Sequence, residues 1–133
     1  MIIVDTNMIG YLFLNSPHSL QAEQALRSDA HWAAPLLWRS ELRNVLAFQV
    51  RQKVLKLEDA QAIMQQAEQL MQGSEYTVVS SRVLQLAAES GCTAYDCEFV
   101  ALAQDLGAPL VTFDRQVLEK FPQTAIRVET FLG

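Results

Sequence analysis

Four carboxylates, Asp5, Glu41, Asp96 and Asp114, stand where a folded chain would gather them. Asp5 ends an apolar run that begins at Ile2, and Asp114 follows the run Leu110-Val111-Thr112-Phe113. Glu41 and Asp96 fall in the first turns of two segments with helical periodicity, 37–52 and 94–106. Asp96 precedes Phe99, Ala103 and Leu106 by three, seven and ten residues, which sets it on the inward stripe of its helix. Glu41 precedes Val45 by four and Phe48 by seven, so it flanks the apolar stripe of its own helix. A carboxylate facing inward is costly unless it is paired or bound to metal. No Lys or Arg is obviously placed to pair with these four. Acids brought to one edge repel one another, and a divalent cation relieves that repulsion. Neither His18 nor His31 falls near them. The donor set is therefore oxygen only, which suits Mg²⁺ or Mn²⁺ and not Zn²⁺.

Carboxylate–metal sites on small domains commonly serve phosphoryl chemistry. The cation lowers the pKa of bound water and neutralises charge that builds on phosphate oxygens. The expected nucleophile is a metal-activated water attacking phosphorus in line with the leaving oxygen, with no covalent intermediate. The sequence has no Ser/His/Asp arrangement, no P-loop and no GxGxxG. Each acid also has a purely structural explanation. Asp5 and Asp114 can cap the helices that follow them, Thr93 and Asp96 have the spacing of a capping box, and Glu41 can favour a helix N-terminus. The inward facing of Glu41 and Asp96 is what favours a shared site.

The elements that must position these residues alternate between short apolar strands and helices. Strands are expected at 2–5, 31–34, 76–79, 110–113 and 126–128. Helices are expected at 7–14, 18–28, 37–52, 58–72, 81–90, 94–106 and 115–120, with Gly91 and Gly107 closing two of them. This alternation predicts an α/β fold, a central parallel sheet of about five short strands with helices on both faces. The length of 133 residues fits one domain spanning 1–133. Such sheets bind ligands outside the carboxyl ends of their strands, and both Asp5 and Asp114 lie there.

Composition narrows the function classes. Half of the residues are apolar and 19% are charged, which fits a folded core and neither a disordered nor a membrane-spanning chain. Cys92 and Cys97 have no redox or zinc spacing and are expected to pack in the core. Free cysteines and the absence of a leader-like start point to the cytoplasm. His18 and His31 are expected on the surface or in local hydrogen bonds. A net charge of −5 argues against binding nucleic acid by bulk charge. A polyanionic substrate would need a local positive rim, for which Arg39 and Arg43, four apart near Glu41, and Arg115 beside Asp114 are the candidates.

In order along the chain, Val4-Asp5-Thr6-Asn7, Ser40-Glu41-Leu42-Arg43-Asn44-Val45-Leu46, Ala94-Tyr95-Asp96-Cys97-Glu98-Phe99-Val100-Ala101-Leu102-Ala103 and Thr112-Phe113-Asp114 resemble the PIN domain. More narrowly, they resemble the VapC-type toxins of toxin–antitoxin pairs. Each motif is weak alone, and the four in sequence are specific together. The resemblance implies a Mg²⁺- or Mn²⁺-dependent endoribonuclease that forms a homodimer and is held inactive by a cognate antitoxin. Asp5, Glu41, Asp96 and Asp114 match the family's acidic positions, as catalytic residues and metal ligands. Thr6, Asn7 and Thr112 match its supporting polar positions, where Asn7 stands in place of the frequent Ser or Thr. Glu98 is an additional acid that ranks below the four, since residues two apart on a helix do not face each other. A homodimer is also suggested by the surplus of large apolar residues in 8–14 and 37–52, among them Met8, Tyr11, Leu12, Phe13, Trp38, Phe48 and Val50. Two competing readings are a haloacid-dehalogenase-like phosphatase, which would want an Asp where Asn7 stands, and a non-catalytic PIN-like interaction module.

Overall fold

A computed structural model describes all residues 1–133. Five strands form one sheet: β1 (Ile2–Val4), β2 (Trp32–Pro35), β3 (Glu75–Tyr76), β4 (Leu110–Thr112) and β5 (Ala125–Arg127). Their order is β3-β2-β1-β4-β5 and every pairing is parallel. The chain runs outward from β1 to β3, then crosses back to lay β4 on the other side of β1. The crevice between β1 and β4 is thus the topological switch point, where the carboxyl ends of two strands diverge.

The β1, β2 and β4 residues are buried without exception, as a parallel sheet covered on both faces requires. Eight helices complete the fold: α1 (Thr6–Phe13), α2 (Ser19–Ser28), α3 (Leu37–Arg51), α4 (Leu57–Met71), α5 (Ser80–Ser90), α6 (Ala94–Leu106), α7 (Arg115–Lys120) and α8 (Val128–Leu132). Right-handed crossovers carry α1 to α4 over one face and α5 and α6 over the other, because the chain reverses direction along the sheet after β3. In keeping with this, α6 packs on β1, β2 and β4, while α3 and α4 pack on β2 and on each other. One core joins the layers, with Ile3, Met8, Ile9, Trp38, Val100 and Val111 fully enclosed. Cys92 and Cys97 are free, buried and part of this core.

Three elements depart from the sequence reading. The third strand is Glu75–Tyr76 and not 76–79. Its only neighbour, β2, ends at Pro35 and turns into α3, so Thr77, Val78 and Val79 have no ladder to join, and Val79 becomes the N-cap of α5. Pro35 itself closes β2, at a position where its missing N–H costs nothing. The last strand stops at Arg127, and an unforeseen helix, α8, follows. Val128, Phe131 and Leu132 carry the i, i+3, i+4 spacing that marks its inward face. Two of the apolar residues expected to be in surplus, Met8 and Trp38, are fully buried within the chain, whereas Phe48 remains 56% exposed.

Candidate active site

β1 delivers Asp5 to the mouth of the switch point, where the chain turns at once into α1. One carboxylate oxygen, Oδ1, accepts the backbone N–H of Met8 at 3.0 Å and so caps that helix. The other, Oδ2, accepts the Thr112 hydroxyl at 2.5 Å, from the end of the adjacent strand β4. The Thr112 oxygen in turn accepts the backbone N–H of Asp114 at 2.9 Å. Asp114 Oδ1 caps α7 by accepting from Val117 N at 3.0 Å. Thr112 is wholly buried, so its hydroxyl is a fixed strut between the two acids.

Glu41 and Asp96 reach the same place from helices on opposite faces of the sheet. Glu41 Oε1 accepts the hydroxyl of Thr6, the first residue of α1, at 2.7 Å. Asp96 N donates to Thr93 Oγ1 at 3.1 Å, which is one half of the capping box; no bond in the other direction forms, as the short Asp side chain predicts. Asp5, Glu41, Asp96 and Asp114 line one cleft of about 230 Å³, together with Thr6, Asn7, Asn44, Val45 and Phe99. No lysine, arginine or histidine lines it.

The electrostatics follow from this enclosure. Burial raises the Asp5 pKa to about 6, against the opposing hydrogen bonds from Thr112 and Met8, and the charges of Asp114 and Asp96 push the same way. Burial also raises Glu41, with the Thr6 hydrogen bond resisting and Asp96 contributing repulsion. Asp96 is raised by burial and by Asp114. Glu98 does not line the cleft but is raised by burial and by the charge of Glu41, which places it at the margin. The Tyr11 hydroxyl is raised by burial and by Asp5. The acids therefore feel one another, and no cation of the chain offsets them.

An oxygen-only set of mutually repelling carboxylates fits a hard divalent cation. In this conformation no three of them converge closely enough to hold an ion directly. Mg²⁺ keeps several of its waters and takes one or two carboxylates directly, so a hydrated ion is the form that acids spaced in this way could accept.

Of the supporting residues, Thr6 and Thr112 hold acids in place, and Asn7 is exposed at the rim of the cleft. The sequence reading passed over Asn44 and Phe99 as lining residues. Each lies three residues after an acid, Glu41 and Asp96 respectively, on the same helical face, and that spacing is the signal that could have found them. Among the proposed cationic residues, Arg43 and Arg115 are exposed and form no ion pair. Arg39 is corrected. Its guanidinium grips Glu75 through Nε at 2.5 Å and Nη2 at 2.8 Å, and Glu68 through Nη1 at 2.8 Å. Glu75 also accepts the Trp38 indole N–H at 2.8 Å. Arg39 thus ties α3 to α4 and β3, committing three of its five N–H donors to their carboxylates. His18, partly buried, donates its backbone N–H locally to Ser16 Oγ at 3.0 Å and packs its ring against both Tyr11 and Phe113, at 4.9 and 4.3 Å between centroids.

A parallel sheet ordered 3-2-1-4-5 with four carboxylates at its switch point defines a class of α/β domain, and comparison with known proteins gives the family. The PIN domain profile matches residues 2–124. Ribonuclease VapC3 of Pyrobaculum aerophilum is 31% identical over 124 residues, covering 91% of this chain and 95% of that protein. This chain belongs to the PIN-domain family. Among solved structures, PAE2754 from Pyrobaculum aerophilum superposes with a TM-score of 0.78 at 25% identity, over 98% of this chain and 92% of that one. A toxin–antitoxin complex from Klebsiella pneumoniae gives 0.70 at 19% identity, over 96% and 98%. FitAcB from Neisseria gonorrhoeae gives 0.72 at 17% identity, over 97% and 99%. The last two likenesses are of fold.

Proposed function

We propose that this chain is a metal-dependent endoribonuclease and the toxin of a type II toxin–antitoxin pair. The observation that carries the reading is the convergence of Asp5, Glu41, Asp96 and Asp114 on one cation-free cleft at the switch point of the sheet. The kinship with a ribonuclease of the VapC group supports the substrate class, and a fold neighbour that is a toxin–antitoxin complex agrees with the partner.

Mg²⁺ or Mn²⁺ would sit among Asp5, Asp96 and Asp114, reaching some of them through its own waters, with Glu41 a direct or water-bridged donor. Bound there, the ion supplies neutralisation of phosphate charge and a more acidic water. The chain's own contributions are positional. Thr112 and the Met8 N–H hold both oxygens of Asp5, and Thr6 holds Glu41, so neither carboxylate has to be ordered when substrate arrives. Arg43 and Arg115 supply positive charge at the rim for the RNA backbone, and Asn7 offers an amide there. A phosphatase of the haloacid-dehalogenase kind is disfavoured by the cleft itself, which presents Asn7 instead of a second Asp and no lysine.

The partners follow the same chemistry. Phe48, which is exposed, and Tyr11, Leu12, Phe13 and Val50, which are partly buried, are the apolar residues available for a homodimer. The antitoxin would present an Arg or Lys to the carboxylates and an apolar helix beside them. No helix is long and apolar enough to cross a membrane.

The test is cleavage of RNA by the purified chain with Mg²⁺, with Mn²⁺ and with EDTA, beside Asp96→Asn. Cleavage that needs the ion and is lost in the variant is the expected result. Cleavage at an equal rate in EDTA, or by Asp96→Asn, overturns the assignment. Light scattering at micromolar concentration reads the homodimer separately, and a monomer mass removes it.

A further inference from the structure

Next to the acidic cleft lies a second hollow, of about 240 Å³, whose lining includes His18, Thr112, Phe113, Arg115, Arg127 and Glu129. It differs in kind from the cleft. Two arginines line it, from the start of α7 and the end of β5, against one acidic residue, Glu129. Arg115 and Arg127 are both exposed, and neither takes part in an ion pair. The chain has an acidic balance of 15 to 10, so two free arginines in one concavity are a local exception.

The two hollows share a wall. Thr112 lines the basic one while its hydroxyl holds Asp5, and Asp114 lines the acidic one, with only Phe113 between them in sequence. The wall is stiff. The Phe113 ring lies 4.3 Å from that of His18 at 36°, and Tyr11 closes the group at 5.6 Å from Phe113 in an edge-on arrangement. Three packed rings fix the segment that carries Thr112, Asp114 and Arg115, and they offer flat apolar surface of the sort that ribose and base stack on.

We infer that Arg115 and Arg127 bind a phosphodiester of the RNA chain flanking the one at the acidic cleft, with Phe113 and His18 forming the floor beneath its nucleotide. The inference rests on the ribonuclease reading for its ligand and adds the site that sets substrate direction across β4. A planar guanidinium matches phosphate oxygens in a bidentate fashion. The acidic cleft repels the polyanion in the absence of its cation, so an anchor one step away is what retains the strand.

The experiment measures equilibrium binding of a fluorescein-labelled oligouridine to full-length Asp96→Asn protein in Mg²⁺, across a salt series. Arg127→Gln is added to this background, then Arg115→Gln, with Arg51→Gln as the control at an exposed site on α3. Neither Arg115 nor Arg127 is tied to another side chain, so both variants should melt as the parent does. Each is expected to weaken binding roughly threefold to tenfold and to reduce the slope of log affinity against log salt by about 0.7. The control should leave the slope unchanged. An affinity and slope untouched by Arg127→Gln, or reduced equally by Arg51→Gln, overturns the subsite, as does undetectable binding by the parent. The ribonuclease reading stands or falls separately, on cleavage by the wild-type chain. If that cleavage is absent while Arg127→Gln still costs affinity, the phosphate site survives and the enzymatic reading does not.

Discussion

Asp5→Asn should make the metal-free protein more stable while removing its activity. Asp5 titrates near 6 in the fold because burial and the neighbouring charges of Asp114 and Asp96 oppose its ionisation, against an ordinary value of 3.8. At ~1.4 kcal/mol for each tenfold change in proton affinity, the ionised fold forgoes about 3 kcal/mol. The sign is that of a raised carboxyl. The stability is intact below pH 3.8, where folded and unfolded chains both carry the proton, is lost progressively as pH rises to about 6, and stays lost above it. Asparagine removes the charge and keeps the cap, since its side-chain oxygen can accept from Met8 N as Oδ1 does. The Thr112 hydroxyl must turn to accept from the new amide, which offsets part of the gain. A net stabilisation of about 2 kcal/mol at pH 7 in EDTA remains, which for a domain of this size raises Tm by roughly 5–10 °C.

The assay is thermal unfolding of wild type and Asp5→Asn in EDTA from pH 4 to pH 8. The gap should be small at pH 4, open through pH 6 and then level off. Added Mg²⁺ should close it, because only the wild type gains appreciably from binding the ion. A variant less stable than wild type at pH 7 in EDTA would refute the reasoning, since capping would then outweigh the electrostatic cost. A gap that does not vary with pH would refute it equally.

Two further outcomes follow from the hydrogen bonds. Thr112→Val keeps the shape of the buried strut but frees Asp5 Oδ2 and the Asp114 N–H; kcat should fall by about 10- to 100-fold with KM little changed, read in steady-state RNA cleavage. Arg39→Gln should cost about 1–3 kcal/mol in urea unfolding, because it strips charged partners from Glu75 and Glu68, and should leave RNA affinity unchanged. The Arg39 contribution is present at neutral pH and lost as pH falls, since Glu75 is held below its ordinary value by the Arg39 hydrogen bond.

The gathering of the four acids in one cleft was legible because its signals are local. An apolar run ending in Asp marks a strand end, and spacing along a helix tells which way Glu41 and Asp96 face. The fold class came through for the same reason, from the alternation of periods. What escaped depends on partners far away in sequence. Arg39 looked like a rim cation because Glu68 and Glu75 are 29 and 36 residues distant, and nothing near Arg39 announces them. The third strand was read too long because Val78 and Val79 have strand propensity, while the end of their only partner at Pro35 is a fact of the sheet. The packing of His18 with Tyr11 and Phe113 joins α1, the chain before α2 and the end of β4, and no short window contains all three.

Capping and chemistry had seemed rival explanations for the acids, yet the structure gives Asp5 and Asp114 the cap and the cleft at once. The reason lies in the two oxygens of a carboxylate. Asp114 spends Oδ1 on Val117 N, which fixes its rotamer at the head of α7 and leaves Oδ2 for the cleft. Serine caps a helix about as well as aspartate but has a single oxygen and no charge. Asp114→Ser should therefore melt within about 0.5 kcal/mol of wild type, while Asp114→Ala loses about 1 kcal/mol. Both should be equally poor in metal-dependent cleavage. If Ser recovers cleavage relative to Ala in proportion to its recovered stability, the cap is all that Asp114 contributes. If stability returns and cleavage does not, its second oxygen belongs to the chemistry.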